Sequence, residues 1–286
     1  WHIQNRGQKS FSTYPATRSV DVNMLTTSDE GSTGTGVRVC VADSGVESTH
    51  EDLSANMIAG ASVDYSTFAW GTSADPIDDE DNHGTDVAGL IAAVADNGKG
   101  SRGIAPEAQV ASKNFLSESV VIDASVLADI ADGVFDIYNY SWGSSVLYTF
   151  YEIEAIFEAQ MLDSVTNQRA GKGSVFVKAA GNEFQYRVPS LLYRHSNANF
   201  DGNNTTPYTI VVGAYNAAGV KANYASVGSA LWVSAPSGQS AYPQMVTTDR
   251  TGCNKGYANI AYAGYVPSFN TLNSSLNPLC RYDVVF

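Results

Sequence analysis

The chain has 286 residues, of which 16 are basic and 29 are acidic, so its formal net charge is -13. This acidic balance excludes a protein whose affinity depends on the phosphate backbone of a nucleic acid. No Pro- or Ser-rich linker divides the sequence, and we predict one domain over residues 1–286. No apolar run reaches the roughly 18 residues that cross a bilayer, so no membrane span is predicted.

Strands and helices alternate along the chain. The first clear strand is the apolar run 37–42, and the first clear helix is 83–96, where apolar residues recur at helical spacing before Asn97-Gly98. Further helices are predicted over 125–133 and 151–170. Further strands are predicted over 109–112, 136–140, 174–178, 208–212 and 231–234. This alternation predicts an α/β fold with a mostly parallel central sheet and helices on both faces.

Two polar residues stand where such a sheet gathers its chemistry. Asp43 directly follows the first strand, and His83 begins the first helix. A carboxylate that accepts the proton of one imidazole nitrogen leaves the other nitrogen free as a general base. Either residue alone is more often part of a turn or a helix cap. Together, in this order, they predict a catalytic pair.

Two later segments add groups that bind a peptide. In the segment 178–182, the amide of Asn182 could donate a hydrogen bond to the oxyanion of a tetrahedral intermediate, although an asparagine here also suits a turn cap. The segment Ser141-Trp142-Gly143 could pair with an extended peptide, since glycine permits close approach of another backbone. A tryptophan packed in the core is the alternative for that segment.

Three cysteines leave an odd count. Cys253 and Cys280 lie in a loop-rich stretch and suit a disulfide, while a metal pair and two unlinked thiols remain open. Cys40 lies within an apolar run, which predicts a buried thiol. A disulfide favours an extracellular or periplasmic location. An exported protein would have lost a leader, and a propeptide, before Trp1.

These motifs, in this order, resemble those of the subtilisin-like serine proteases over residues 1–249. The features that resemble the kexin and furin branch are Trp1-His2-Ile3-Gln4-Asn5, His50-Glu51-Asp52-Leu53, Asp136-Ile137-Tyr138 and Thr247-Thr248-Asp249. The resemblance implies a three-layer subtilisin-like fold in which Asp43 orients, His83 acts as general base and acid, and Asn182 completes the oxyanion hole. It implies a substrate-binding set of Ser141, Trp142, Gly143, Ala179, Ala180, Gly181 and Asp201.

The same resemblance implies a calcium site. Its ligands would be the carboxylate of Asp52, the side chain of Asn97 and the carbonyl groups of Val94, Lys99 and Ser101. An all-oxygen set with few charges suits calcium better than a transition metal. An ordinary helix stop at Asn97-Gly98 is the alternative.

Two departures from the branch concern specificity. Ser44 stands where furin-like enzymes carry an acidic residue, and the segment 144–146 has no carboxylate for a second calcium ion. Strict selection of two basic residues is therefore not implied. Asp201 aligns with the aspartate at the base of the family's primary pocket. A carboxylate without an internal partner would pair there with Arg or Lys of the substrate.

The nucleophile is the larger departure, because no Gly-Thr-Ser segment leads into a helix here. The segment 71–73 is read as a loop, Ser237 is read as a turn residue, and the chain stops after the strand-like run 282–286. We expect the serine shortly after Phe286, on a nicked second polypeptide or outside the given sequence.

The sequence thus predicts a secreted, calcium-binding serine endopeptidase that cleaves after basic residues and whose 286-residue chain is inactive alone. Its predicted partners are protein or peptide substrates, with a propeptide, a chaperone or an inhibitor as further partners. A catalytically inactive subtilisin-like binding protein is the alternative. A nucleotide-dependent enzyme is excluded, because the glycines precede the strand at 37–42.

Overall fold

The computed structural model describes residues 1–9, 12–24, 32–67, 69–71, 73–144, 149–184, 186–187, 193–194, 196–258, 277 and 279–285. These residues form two compact units. The first unit comprises Trp1–Val22 and Asp123–Pro243, and the second comprises Asn23–Ile122 and Gln244–Phe286. No helix among the described residues is long and apolar enough to cross a membrane.

The regular elements follow one another along the chain as strands β1 to β12 and helices α1 to α4. In chain order they are β1 Arg38–Asp43, β2 Val63–Asp64, β3 Ala69–Trp70, α1 His83–Ala92, β4 Gln109–Asn114, α2 Ala124–Asp129, β5 Ile137–Tyr140, α3 Ala155–Thr166, α4 Gln168–Gly171, β6 Val175–Ala179, β7 Tyr186–Arg187, β8 Tyr193–Arg194, β9 Thr209–Tyr215, β10 Leu231–Pro236, β11 Met245–Thr248 and β12 Tyr282–Val285.

In the second unit, β1 pairs in parallel with β4, and β4 pairs in parallel with β2. The short strand β3 pairs with β2 in the antiparallel direction, and β11 pairs with β12 likewise. Every residue of β1 from Val39 to Asp43 is buried. An unbroken apolar run of this kind is typical of a parallel strand that is covered on both faces.

In the first unit, β5 pairs with β6, β6 with β9 and β9 with β10, each in parallel. Aromatic side chains on β5, β6 and α3 fill its core. The ring of Tyr140 stacks on Phe176 with centroids 5.8 Å apart and contacts Phe157 at 5.8 Å. All three rings are buried, so this cluster excludes water from the centre of the unit.

Within each unit, the predicted mostly parallel α/β arrangement is confirmed. The five strands predicted after the first helix correspond to β4, β5, β6, β9 and β10, and the run 37–42 corresponds to β1. The two-residue strands β2, β3, β7 and β8 and the strand β11 were not predicted. A strand of two residues is too short to show an alternating pattern. Strand β11 pairs with β12, which lies at a distant position in the sequence.

Three predicted helices are shorter in the structure. α1 ends at Ala92 instead of residue 96, because Ala93 adopts an extended conformation with ψ 135° and Asp96 a left-handed one with φ 59°. α2 ends at Asp129, although the prediction continued to residue 133. α3 begins at Ala155 because Tyr151 is extended, and its N–H donates to the carbonyl of Phe200 at 2.8 Å.

Helix α1 packs closely on strand β11 in the second unit. The hydroxyls of Thr247 and Thr248 donate to the helix carbonyls of Asp86 and Thr85, each at 2.7 Å. Gly89 faces both threonines, and a methyl group added at Gly89 would overlap both hydroxyl oxygens. The Thr-Thr pair therefore holds the helix that begins with His83.

We predict that Gly89→Ala destabilises the protein by about 1–3 kcal/mol, because the added methyl overpacks the contact between α1 and β11. Helix propensity alone would give a gain of about 1 kcal/mol. Urea unfolding followed by circular dichroism measures the difference. The same substitution should cost less in a Thr248→Ala background, and equal costs in both backgrounds would contradict this contact as the cause.

Candidate active site

Asp43 and His83 form a hydrogen-bonded pair in the second unit. The Nδ1 atom of His83 lies 2.8 Å from Oδ1 and 3.0 Å from Oδ2 of Asp43. The Asp43 side chain is fully buried, whereas the His83 side chain is 45% exposed. A carboxylate at Nδ1 selects the tautomer whose other nitrogen, Nε2, is basic. The predicted pair thus has the geometry of a general base and the group that orients it.

Glycines let the two halves of this pair approach each other. A methyl group at Gly84, the second residue of α1, would overlap the carbonyl oxygen of Gly45 and lie 3.2 Å from the Cβ of Asp43. Gly45 itself has φ 97°, a conformation that side chains disfavour. The hydroxyl oxygen of Ser44 accepts from the N–H of Gly84 at 3.2 Å. Ser44 therefore anchors the start of α1.

The other described histidines, His2 and His50, are buried. His50 is fully buried, its Nε2 atom lies 3.0 Å from the carbonyl oxygen of Arg281, and its Nδ1 atom accepts from the N–H of Asp52. Burial lowers the pKa of His50, and burial lowers the pKa of His2 to about 4. In contrast, the charge of Asp43 raises the pKa of the partly exposed His83 by more than desolvation lowers it, and their hydrogen bond adds to this effect.

A buried acidic residue lies one turn along α1 from His83. Asp86 is 3% exposed, and neither of its carboxylate oxygens has a hydrogen-bond partner among the described residues. Burial, and then the charges of Asp249, Asp283 and Asp43, raise the pKa of Asp86 well above its usual value. Burial also raises the pKa of Asp249 to about 7.

The first unit contains a pocket at the carboxyl ends of β5 and β6. The structure brings the eight predicted residues of this unit to its lining: Ser141, Trp142, Gly143, Ala179, Ala180, Gly181, Asn182 and Asp201. Asn182 is exposed, and Gly181 before it has φ 104°. The N–H of Asn182 donates to Oε2 of Glu183 at 2.7 Å. Asn182 is thus an exposed residue of the pocket lining.

The expectation that Asp201 lacks an internal partner is wrong, because its Oδ2 atom lies 3.1 Å from Nζ of Lys178. The Lys178 side chain is fully buried. Burial raises the pKa of Asp201, yet the Lys178 ammonium and the hydrogen bonds from Ser144, Lys178 and Asn203 outweigh it, so this pKa lies below its usual value. Sequence reasoning missed Lys178, since a lysine in a short strand is ordinarily solvent-exposed.

In the second unit, three of the five predicted calcium ligands converge. Asp52 is fully buried and accepts from the side-chain amide of Asn97 at 2.7 Å and from the N–H of Ser101 at 3.2 Å. The N–H of Val94 donates to the carbonyl of Asp52, whereas Lys99 directs its ammonium to Glu51 at 3.5 Å. Burial raises the pKa of Asp52 despite its hydrogen bonds to Asn97 and Ser101.

The cysteines behave as predicted. Cys253 and Cys280 form a disulfide with Cα atoms 5.0 Å apart, and Cys40 is fully buried in β1. Ser237 directly follows β10, and its N–H donates to the carbonyl of Tyr215 in β9 at 2.8 Å. This bond continues the pairing of β10 with β9, so the expectation that Ser237 lies in a turn is wrong. Residues 72, 145, 146 and 286, which entered the arguments on the nucleophile and a second calcium ion, lie outside the described residues.

Comparison with known proteins agrees with the fold. The profile of the Subtilase family matches residues 34–265, so the chain belongs to the subtilase family of serine proteases. It is 33% identical to the "Aeromonas extracellular serine protease" of Aeromonas sobria, over 100% of this chain and 47% of that protein. It is 36% identical to the "Dibasic-processing endoprotease" of Yarrowia lipolytica, over 64% of this chain and 18% of that protein.

The crystal structure of the Aeromonas sobria serine protease in complex with a chaperone is similar over the whole chain. The TM-score is 0.89 at 30% identity, covering 100% of this chain and 50% of that one. The predicted subtilisin-like α/β fold is thereby confirmed. The chain spans about half the length of these Aeromonas proteins.

We predict that Asp43→Asn lowers the pKa of His83, because the substitution removes the negative charge that raises it. Titration of the imidazole resonances by NMR measures the shift, with His50 as an internal control. In active full-length protein the wrong tautomer should lower kcat by about 10⁴-fold.

A raised histidine pKa stabilises the fold below pH 6.5, and this gain disappears as the pH rises through the folded-state pKa. An unchanged titration of His83 would contradict the pairing.

Proposed function

We propose that the full-length protein containing this chain is a serine endopeptidase. The observation that carries the proposal is the hydrogen bond between the buried carboxylate of Asp43 and Nδ1 of His83. In this mechanism, Nε2 of His83 takes the proton of a serine hydroxyl as the serine oxygen attacks the peptide carbonyl. The resemblance to subtilisin-like proteases assigns the donor to the resulting oxyanion to the amide of Asn182, a hydrogen bond worth about 3–4 kcal/mol in the transition state. His83 then protonates the leaving amine, and water completes the hydrolysis.

The position of the nucleophilic serine is part of this proposal. We place it in the remainder of the full-length protein, because the similar Aeromonas sobria protease is about twice as long as this chain. Subtilase membership, covering residues 34–265, supports a serine as the attacking group.

The proposed substrate is a protein or peptide bound in extended form along Ser141-Trp142-Gly143. Its side chain before the scissile bond would enter the pocket of the first unit. Resemblance to the kexin and furin branch, and the printed name of the Yarrowia lipolytica relative, support a basic residue at that position. The ion pair between Asp201 and Lys178 opposes it. The proposed activity therefore does not require a basic residue.

The same relatives support a proposal on the location and the partners of this protein. The Aeromonas sobria protein at 33% identity carries the word extracellular in its name, and one of its crystal structures contains a chaperone. The disulfide between Cys253 and Cys280 suits an oxidising compartment. We propose that this protein is also exported and that a propeptide or chaperone assists its maturation.

We further propose that calcium binds at Asp52. The residues fit this ion, because a fully buried carboxylate calls for positive charge and the hydroxyl of Ser101 is buried without a partner among the described residues. Asp52, Asn97 and Ser101 would hold calcium with oxygen ligands, and carbonyl groups of Val94 and Lys99 would complete the set. Asn97 would have to turn its side-chain oxygen from the N–H of Lys99 toward the ion. When bound, calcium would neutralise Asp52 and stabilise the loop.

We predict that a fluorophosphonate probe labels one serine of the full-length protein, and that this serine lies outside residues 1–286. The probe reacts with serines whose hydroxyl is activated by a neighbouring base. Digestion and mass spectrometry locate the labelled peptide. His83→Ala should abolish labelling, while His50→Gln, which changes a structural histidine, should retain it if the fold survives. Absence of any labelled peptide would favour the catalytically inactive binding protein instead.

We predict that calcium raises the midpoint of thermal unfolding relative to a chelator, since a ligand of the native state adds about 2.7 kcal/mol at a hundred times its Kd. Asp52→Asn should remove this difference. Asp96→Asn is the matched control, because Asp96 lies in the same loop with its side chain 91% exposed and, among the described residues, its ion pair is with Arg102 at 3.7 Å. Equal calcium shifts in all three proteins would contradict the site.

A further inference from the structure

Lys178 lies near the end of β6 with its side chain fully buried. Its Nζ atom donates to the carbonyl of Trp142 at 2.7 Å, lies 3.1 Å from Oδ2 of Asp201, and is 5.2 Å from the centroid of the Trp142 ring. A buried ammonium is costly unless such partners compensate it. The ammonium group of Lys178 is therefore held in one place by its surroundings.

The carboxylate of Asp201 already has a full set of donors. Its Oδ1 atom accepts from the backbone N–H and the side-chain amide of Asn203, at 3.0 and 2.9 Å. Its Oδ2 atom accepts from the N–H of Ser144 and from Lys178, both at 3.1 Å. Two donors on each oxygen leave little capacity for a guanidinium or ammonium group of a substrate.

This ion pair contacts the wall of the pocket. A methyl group added at Gly143 would lie 3.0 Å from Oδ2 of Asp201 and 3.1 Å from Nζ of Lys178. Gly143 and Asp201 both line the pocket. A side chain that enters beside Gly143 therefore meets a neutralised pair instead of a single negative charge.

The rest of the lining includes polar groups that suit an uncharged guest. The hydroxyl of Ser226 is buried in the pocket and has no hydrogen-bond partner among the described residues. Glu183 is the other carboxylate in the lining, and its Oε2 atom already accepts from the N–H of Asn182. A substrate cation near Asp201 would be repelled by Lys178, whereas a neutral side chain would meet no such repulsion.

We infer that Lys178 is a specificity-determining residue, which neutralises Asp201 so that the pocket accepts an uncharged side chain before the scissile bond and disfavours Arg and Lys. This inference rests on the proposed endopeptidase function for the identity of the pocket's guest. It reverses the preference that the resemblance to kexin- and furin-like enzymes implied.

The test compares two peptides that differ only before the scissile bond, where one has arginine and the other has citrulline, its neutral isostere. Full-length protein should cleave the citrulline peptide with a kcat/KM at least equal to that of the arginine peptide. Lys178→Met removes the charge with little change in length and should shift the ratio toward arginine by about tenfold or more, since Asp201 then needs a cation. Adding Asp201→Asn should cancel this shift.

Lys221→Met is the matched control. Lys221 belongs to the same unit, but its ammonium donates to the carbonyls of Ala222 and Ala225 and not to Asp201. Its substitution should leave the arginine-to-citrulline ratio unchanged. A parent protein that prefers arginine, or a Lys178→Met variant that is folded and keeps the parent ratio, would overturn the inference.

Binding of p-aminobenzamidine, an arginine analogue with a fluorescence readout, tests the pocket without turnover. The parent should not bind it, and Lys178→Met should bind it. If fluorophosphonate labelling fails, the endopeptidase proposal is lost while this binding result still decides the charge of the pocket. If Lys178→Met does not fold, the parent alone decides, because binding of the amidine or preference for arginine would overturn the inference.

Discussion

The hydrogen bond between Asp43 and His83 is the interaction around which the second unit is arranged. A carboxylate with no solvent exposure is stable only when donors surround it, and the N–H of Ser44 and the imidazole supply them. The contact requires the start of α1 to lie against the turn after β1. Glycine at position 84 makes this approach possible, and the hydroxyl of Ser44 secures it. The residues next to Asp43 and His83 are thus required for close packing of the turn after β1 against α1, and this packing places the two side chains together.

Three other buried carboxylates are stabilised in three different ways. Asp201 is compensated by a buried lysine, and Asp52 accepts from amide donors that we propose share it with calcium. Asp86 has neither kind of partner among the described residues, and burial raises its pKa, which favours its neutral form. The cost of a bare charge in a low-dielectric interior is the common cause. The three devices differ in when they act on the negative charge. An ion pair compensates it throughout the native state, a proton removes it below the pKa, and a metal ion compensates it only when bound.

Membership of the subtilase family accounts for the fold but not for every charge near the predicted site. Ser44 stands where the furin-like pattern has an acidic residue, and its hydroxyl accepts from the N–H of Gly84 at the start of α1. Lys178 places a buried cation 3.1 Å from Asp201. One side chain can therefore change the charge of a pocket within a family fold.

The sequence by itself determined the strands β1, β4, β5, β6, β9 and β10, the start of α1 and the choice of Asp43 and His83 as candidate residues. Each of these depends on a local pattern, either an apolar run, a helical period or a short motif. The tertiary structure alone decided the partner of Asp201, because Lys178 lies 23 residues away and its place in a strand carries no sign of burial. It also decided the direction of the pKa shift of Asp86, which burial raises first and the charges of Asp249 and Asp283, near the far end of the chain, raise further. Charge interactions depend on distance and burial in three dimensions, and neither quantity can be read from neighbours in sequence.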